Sequence, residues 1–84
     1  MTVEERLLDA GYEGAVILDG YDEAFIGVSH EGRAVYDAEL MVQVLMDRDG
    51  MTREEAVEWI DYNDVRALPY AGENSPVIVF SLLD

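Results

Sequence analysis

The sequence predicts an α+β fold with the element order α-β-β-β-α-α-β, in which one mostly antiparallel sheet packs against a helical hairpin. Short apolar runs in the first part of the chain give way to apolar residues at helical spacing in the second part. Thr2 with Glu5, and Thr52 with Glu55, have the spacing of a helix capping box. A last apolar run, Val77–Phe80, predicts a final strand.

The first part of the chain is predicted to form one short helix and a three-stranded antiparallel meander. The helix begins after Thr2 and ends at Gly11, because glycine favours the left-handed position that follows a helix. The strands are the apolar runs Ala15–Leu18, Ala24–Val28 and Arg33–Tyr36. Polar residues and glycines between these runs are typical of turns.

The segment Ala38–Arg48 predicts a helix that is buried on more than one side. Only Glu39, Gln43 and Asp47 form a polar stripe on it, so most of its circumference is apolar. Gly50 is expected to end this helix. The unusually apolar surface makes a homodimer one of the alternatives for the function of the chain.

The next predicted helix begins after Thr52 and ends near Asn63. One side of it carries Ala56, Val57, Trp59 and Ile60, and the other carries Glu54, Glu55, Glu58 and Asp61. A turn or single helical turn is expected at Ala67–Tyr70. The final strand Val77–Phe80 is expected at a central position beside the first strand, because its apolarity is continuous.

The charge of the chain is its strongest functional indication. Its 84 residues fit a single domain, 1–84, and include 19 acidic and 5 basic residues, a formal net charge of -14. Half of the residues are hydrophobic, which excludes a disordered acidic tail. The charge argues against direct binding to nucleic acid or to an anionic membrane. No apolar run could span a membrane and the acidic Met1–Arg6 is unlike a signal peptide, so we expect a cytoplasmic protein.

Most catalytic chemistry finds no support in the sequence. Cysteine is absent, which excludes thiol nucleophiles, disulfides and zinc–thiolate centres. The single histidine, His30, follows Ser29 in a predicted turn, and neighbours on a strand point to opposite faces. The glycines form no phosphate-binding loop. We therefore expect a protein that is not an enzyme and that uses no cofactor.

The residues that follow Asp47 partly resemble a calcium-binding loop. Asp47, Asp49 and Glu58 fit positions 1, 3 and 12 of an EF-hand loop. Met51 and Thr52 occupy positions 5 and 6, where the loop needs an acid and a glycine. A turn between two capped helices explains these residues better. Calcium binding or carboxylate catalysis is an alternative interpretation.

A row of acids on the second long helix is the candidate functional surface. Glu54, Glu58 and Asp61 have i, i+4, i+7 spacing, which places their carboxylates along one face. Charges in a row on a rigid body resemble the phosphates of nucleic acid, so the expected partner is a basic nucleic-acid-binding protein. An acidic surface for solubility or high salt is the alternative. The expected partner-binding residues are Glu54, Glu55, Glu58, Asp61, Asp47 and Asp49.

Three residues near this row are expected to have structural roles. Arg66 is predicted to form an internal ion pair or to bind carbonyl groups at the helix C-terminus, where cations are favoured. Trp59 and Tyr62 are either partly exposed beside the acidic residues or packed against the core. Packing is the favoured alternative, because aromatic side chains supply much of the apolar area that a small domain buries.

The second half of the chain also carries a series of short motifs. They are Gly32–Asp37, Leu40–Met41, Asp49–Thr52, Glu55–Ile60, Tyr62–Asn63, Arg66–Glu73 and Pro76–Val79. In these motifs the chain resembles a family of small, acidic, largely uncharacterised proteins carried by bacteria, phages and mobile elements. Small acidic proteins of that setting often antagonise host defence. Anti-CRISPR proteins are the best-known class, and several of them act as DNA mimics. The resemblance thus implies an inhibitor whose partner is a CRISPR effector, and it transfers no functional residue.

Overall fold

The computed structural model describes residues 2–66, 68 and 72–82 and confirms the α+β class. The α-helices in this part of the chain are α1 (Val3–Asp9), α2 (Ala38–Asp49) and α3 (Arg53–Trp59). The strands are β1 (Phe25–Val28), β2 (Ala34–Asp37) and β3 (Val77–Val79), and a 3₁₀ turn at Asp22–Ala24 precedes β1. The sheet order is β1-β2-β3, with β1 antiparallel and β3 parallel to β2.

The topology of the sheet differs from the prediction. The sheet is mixed rather than mostly antiparallel, and β2 rather than the last strand is central. The helices α2 and α3 lie between β2 and β3 in the chain. A crossover of this kind returns the chain to the same end of the sheet, so the strands that it joins run parallel.

The predicted first strand, Ala15–Leu18, is not part of the sheet. Its N–H groups use other acceptors: Val16 donates to the carbonyl of Asn74 at 3.2 Å, and Leu18 donates to Tyr36 Oη at 3.0 Å. An apolar run alone does not distinguish a strand from an extended segment that covers a core. The final strand therefore pairs with β2 and not with this segment.

The core is built around β2 and α2. Tyr36 on β2, and Met41 and Leu45 on α2, have almost no exposed surface. The residues of α2 that are buried are Ala38, Met41, Val42, Val44 and Leu45. Burial on more than one side of this helix is thus confirmed. Leu40 is the only large apolar residue of α2 that is exposed, so the helix offers little apolar surface to a second copy.

The helix termini follow the predicted capping signals. Both capping boxes, Thr2 with Glu5 and Thr52 with Glu55, are present. Gly11 follows α1 with φ 90°, in the left-handed region. Such signals are reliable here because donor, acceptor and backbone conformation all lie within one helical turn.

Gly50 makes the turn between α2 and α3 with φ 68° and ψ 20°. A Cβ at this position would have no atom within 4 Å, so alanine would meet conformational strain and no clash. We expect Gly50→Ala to lower the free energy of unfolding by about 1–2 kcal/mol. In a domain of this size, each kcal/mol lowers the thermal midpoint by about 4–8 °C, which circular dichroism would detect. An unchanged midpoint would contradict this role of Gly50.

A narrow stripe of buried apolar side chains packs α3 against the rest of the domain. Ala56 and, just beyond the helix, Ile60 are buried, whereas Val57 and Trp59 are 46% and 47% exposed. Of the four apolar residues on this side of the helix, only two are therefore buried. Residues two apart are about 200° apart around a helix, so Val57 and Trp59 flank the buried stripe on opposite edges.

The helical backbone continues beyond α3 as a wider π-helical segment, Ile60–Val65. The N–H of Arg66 donates to the carbonyl of Asp61, five residues earlier, at 3.3 Å. The predicted end near Asn63 is thus two residues early. Of the predicted turn at Ala67–Tyr70, all but Leu68 lies outside the described residues.

Candidate protein-binding surface

Three carboxylates lie in a row along the outer side of α3 and the π-helical segment. Glu54, Glu58 and Asp61 are all exposed, and their positions span about 10 Å of helix axis. None of them forms an ion pair with another described residue. These three residues are called the acidic ridge below.

Most of the arginines are held away from the acidic ridge. Arg53 donates from both Nη atoms to the two carboxylate oxygens of Glu39, each at 2.6 Å. This pair joins α2 to α3 and lowers the pKa of Glu39. Arg48 donates to the carboxylate of its neighbour Asp49 at 3.2 Å. Arg33 bonds to the segment before β3. Three of the five arginines thus have polar partners away from the ridge.

An aromatic cleft of about 780 Å³ lies on one side of the acidic ridge. Trp59 and Tyr62 line it together with Glu55 and Glu58. The favoured prediction that both aromatic side chains pack against the core is wrong, and the alternative of exposure beside the acids is confirmed, since Trp59 is half exposed and Tyr62 is 68% exposed. The surface beside the ridge therefore combines negative charge with two large aromatic rings.

Arg66 contributes to the aromatic cleft through a stacking contact. Its guanidinium carbon lies 5.1 Å from the ring centroid of Tyr62. It forms no ion pair with a described residue, and its hydrogen bond to the Asp61 carbonyl uses the backbone N–H. The predicted ion pair or side-chain cap is thus absent among the described residues. Arg66 follows Tyr62 by four residues, which lets the side chain lie over the ring.

A second, smaller depression of about 310 Å³ lies on the other side of the ridge and is called the apolar groove. Val57 and Val65 line it from the helical side, and Phe80 lines it from the end of β3. All three are exposed apolar side chains. Glu58 and Asp61 line both depressions, so the acidic ridge lies between the aromatic cleft and the apolar groove.

The other predicted partner-binding carboxylates lie outside the ridge. Asp47 and Asp49 are exposed on the last turn of α2, and Arg48 binds the carboxylate of Asp49. Glu55 lies at the start of α3, where hydrogen bonds from Thr52 lower its pKa. The structure therefore brings together Glu54, Glu58 and Asp61, adds Glu55 at the edge of the aromatic cleft, and leaves Asp47 and Asp49 apart.

The residues considered above for calcium binding and for nucleophilic catalysis lie in helices and turns and form no such site within the described residues. Asp47 and Asp49 are helical rather than part of a loop, and no three Asp, Glu or His side chains in the described ranges converge to hold a metal ion. Ser29 Oγ accepts the N–H of Arg33 at 3.1 Å and closes the turn between β1 and β2. His30 is exposed in that turn.

A part-buried hydrogen bond joins the π-helical segment to the body of the domain. Tyr21, which is almost fully buried, donates its hydroxyl to the carboxylate of Asp64 at 3.0 Å. Burial raises the pKa of Asp64, and the hydrogen bond from Tyr21 opposes this effect without reversing it. Burial, followed by the bond to Asp64, raises the pKa of Tyr21. The charge of Asp64 thus lowers the stability of the fold at neutral pH.

Asp64→Asn is expected to keep an acceptor for Tyr21 while removing the part-buried charge. The folded-state pKa lies above the unfolded value of about 3.9, so Asp64 favours folding at low pH, and this contribution is lost as the pH rises through the folded pKa. We expect the variant to match or exceed the wild type in stability at about pH 7 and to gain less towards about pH 4. Urea denaturation at both pH values measures this, and a variant destabilised at neutral pH would contradict it.

Of the two surfaces beside the acidic ridge, the aromatic one was the less favoured alternative for Trp59 and Tyr62, and the apolar groove was not predicted from the sequence. A signal for the aromatic cleft exists, because Trp59 follows Glu55, and Tyr62 follows Glu58, at i, i+4 spacing that places each ring beside a carboxylate. The apolar groove has no local signal, since Phe80 reaches Val57 only through the fold.

Comparison with protein-family models, with curated protein sequences and with solved structures gives no match. A functional proposal therefore rests on the chemistry of the surface. Of the helices in the described part of the chain, none has both the length and the apolar character that crossing a membrane requires.

Proposed function

We propose that this chain is a small, acidic, non-enzymatic inhibitor that acts in the cytoplasm. It binds the nucleic-acid-binding surface of another protein in place of the nucleic acid. The observation that supports this function is the acidic ridge, three exposed carboxylates that no described cation pairs with. Because the ridge is part of a helix, its charges keep a fixed spacing, and a basic surface would attract it over long range.

The flanks of the ridge favour a protein partner over a merely solvated acidic face. Trp59 and Tyr62 are exposed beside the carboxylates, and Trp and Tyr are enriched among the residues that dominate binding energies at protein interfaces. A surface selected only for solubility would contain few exposed aromatic side chains. Repulsion between Glu54 and Glu58 also destabilises the helix slightly, which is a cost that a binding role explains.

The partner that we propose is a protein with a basic groove for nucleic acid, and more specifically a CRISPR effector. The negative charge of the acidic ridge supports a partner that has a basic groove. The resemblance to small acidic proteins of phages and mobile elements supports the choice of effector. Under this proposal the chain binds no nucleic acid and no membrane itself.

Reversing the charge of the ridge tests this function. We expect the triple variant Glu54→Lys, Glu58→Lys, Asp61→Lys to lose at least about 100-fold in affinity for the effector that it binds. All three side chains are exposed, so the variant should keep its circular dichroism spectrum. The assay is biolayer interferometry against a panel of purified effector complexes.

A matched triple variant provides the control. Asp9, Glu13 and Glu73 are exposed and lie outside both depressions, so changing them to lysine alters the net charge equally without touching the ridge. We expect this variant to bind almost as well as the wild type. Unchanged binding by the ridge variant, or equal losses in both variants, would contradict a specific role of the ridge.

A further inference from the structure

The apolar groove exposes hydrophobic area that the acidic ridge does not explain. Val57, Val65 and Phe80 are exposed around one depression, although they come from two distant parts of the chain. Phe80 is 78% exposed, which is unusual for a phenylalanine in a small domain. Exposed apolar side chains that are contiguous in space mark surfaces at which a partner is bound.

The groove adjoins a free edge of the sheet. β3 pairs with β2 on one side, and no strand pairs with its other side within residues 2–66, 68 and 72–82. The unpaired N–H and C=O groups of an edge strand are a template for a further strand. Ile78 and Phe80 are two residues apart and both line the groove, so a strand added beside β3 would direct alternate side chains into it.

The charge around the groove selects the kind of partner. Glu58 and Asp61 lie at its border, and no arginine of the described part of the chain lines it. A second copy of the chain would place its own Glu58 and Asp61 close to these carboxylates. Both copies would also carry the net charge of -14. Charge complementarity therefore favours a basic partner over self-association.

We propose that the groove and the free edge of β3 together bind an extended, basic segment of another protein. The segment adds a fourth strand beside β3. Two apolar side chains at alternate positions enter the groove beside Val57 and Phe80. An arginine or lysine two positions further on the same face reaches Glu58 and Asp61. This surface shares Glu58 and Asp61 with the acidic ridge and the aromatic cleft. Its apolar side chains and the edge of β3 belong to neither, so the inference goes beyond the proposed function.

A labelled peptide tests this inference. The probe is a fluorescein-labelled peptide in which threonine occupies every other position. Two valines and then one arginine occupy the positions between, so their three side chains share one face of an extended strand. We expect saturable binding in fluorescence anisotropy. Phe80→Ser should weaken it by about tenfold or more. Leu8→Ser is the matched control, because Leu8 is an exposed apolar residue on α1 outside the groove, and it should leave the affinity unchanged.

Two further measurements identify the binding mode. Hydrogen exchange at the β3 amides should slow when the peptide is bound, because strand addition covers them. A peptide of the same composition, shuffled so that valine and arginine no longer share a face, should bind at least about fivefold more weakly.

The outcomes against the inference are distinct from those against the acidic ridge. Absence of saturable binding up to about 1 mM, binding that Phe80→Ser does not weaken, or binding without slowed exchange at β3 would each overturn it. Sedimentation that reveals a dimer abolished by Phe80→Ser would assign the groove to a second copy and overturn it too. Glu54→Lys, which changes the ridge alone, should leave peptide binding intact.

Discussion

Replacing Tyr36 by alanine is expected to lower the free energy of unfolding by about 3–5 kcal/mol. Tyr36 lies on the central strand and has no exposed surface. Its ring packs edge-to-face against Phe25 with the centroids 5.8 Å apart. Its hydroxyl oxygen accepts the N–H of Leu18 at 3.0 Å. Alanine would remove both the core volume and the acceptor, and the loss is a large part of the stability of a small domain.

Tyr36→Phe separates the two contributions. It keeps the ring and removes only the acceptor, which leaves the part-buried N–H of Leu18 without its partner. We expect a loss of about 1–2 kcal/mol. Urea denaturation of the wild type and both variants, followed by circular dichroism, gives the comparison. Equal losses in the two variants would contradict the packing role of the ring, and a neutral phenylalanine variant would contradict the role of the hydrogen bond.

Replacing Arg33 by alanine is expected to have the second largest effect on stability, about 2–4 kcal/mol. Arg33 Nε donates to the carbonyl of Ser75 at 2.7 Å, and Nη2 donates to its hydroxyl at 2.8 Å. These bonds tie the β1–β2 hairpin to the segment that leads into β3. Ser75 is buried, so both of its oxygens would lose charge-assisted partners.

The neighbouring ion pair provides the control for Arg33. Glu31 lies 3.6 Å from the guanidinium and is largely exposed, so Glu31→Gln should change the stability by no more than about 0.5 kcal/mol. In Arg33→Ala, hydrogen exchange at the β3 amides should also become faster, because the attachment before β3 is lost. Equal effects of the two substitutions would indicate that the ion pair, and not the bonds to Ser75, is what stabilises the domain.

Local features of the fold could be predicted from the sequence, whereas the pairing of strands could not. Both capping boxes and the positions of Gly11 and Gly50 are determined by interactions within one helical turn. Ala15–Leu18 and Val77–Val79 are similar apolar runs, and only one pairs with β2. In the run Ala15–Leu18, N–H groups donate instead to the hydroxyl of Tyr36 and to a loop carbonyl. No local pattern in the sequence indicates these bonds.

The candidate surface was predicted in the same partial way. The i, i+4, i+7 spacing of Glu54, Glu58 and Asp61 was enough to place them on one exposed face. The exposure of Val57 could not be predicted, because the width of the buried stripe on α3 depends on the elements that pack against it. The π-helical segment was not predicted either. Its bond from Tyr21 to Asp64 joins positions 43 residues apart, which no local spacing indicates.

Competition with nucleic acid tests the central claim, the role of the acidic ridge, most directly. The measurement is the affinity of the chain for the effector that it binds, at increasing concentrations of the DNA or RNA that this effector recognises. We expect the apparent Kd to rise in proportion to the nucleic-acid concentration, because the ridge and the phosphates would occupy the same basic groove. A ternary complex of chain, effector and nucleic acid with an unchanged Kd would contradict the claim.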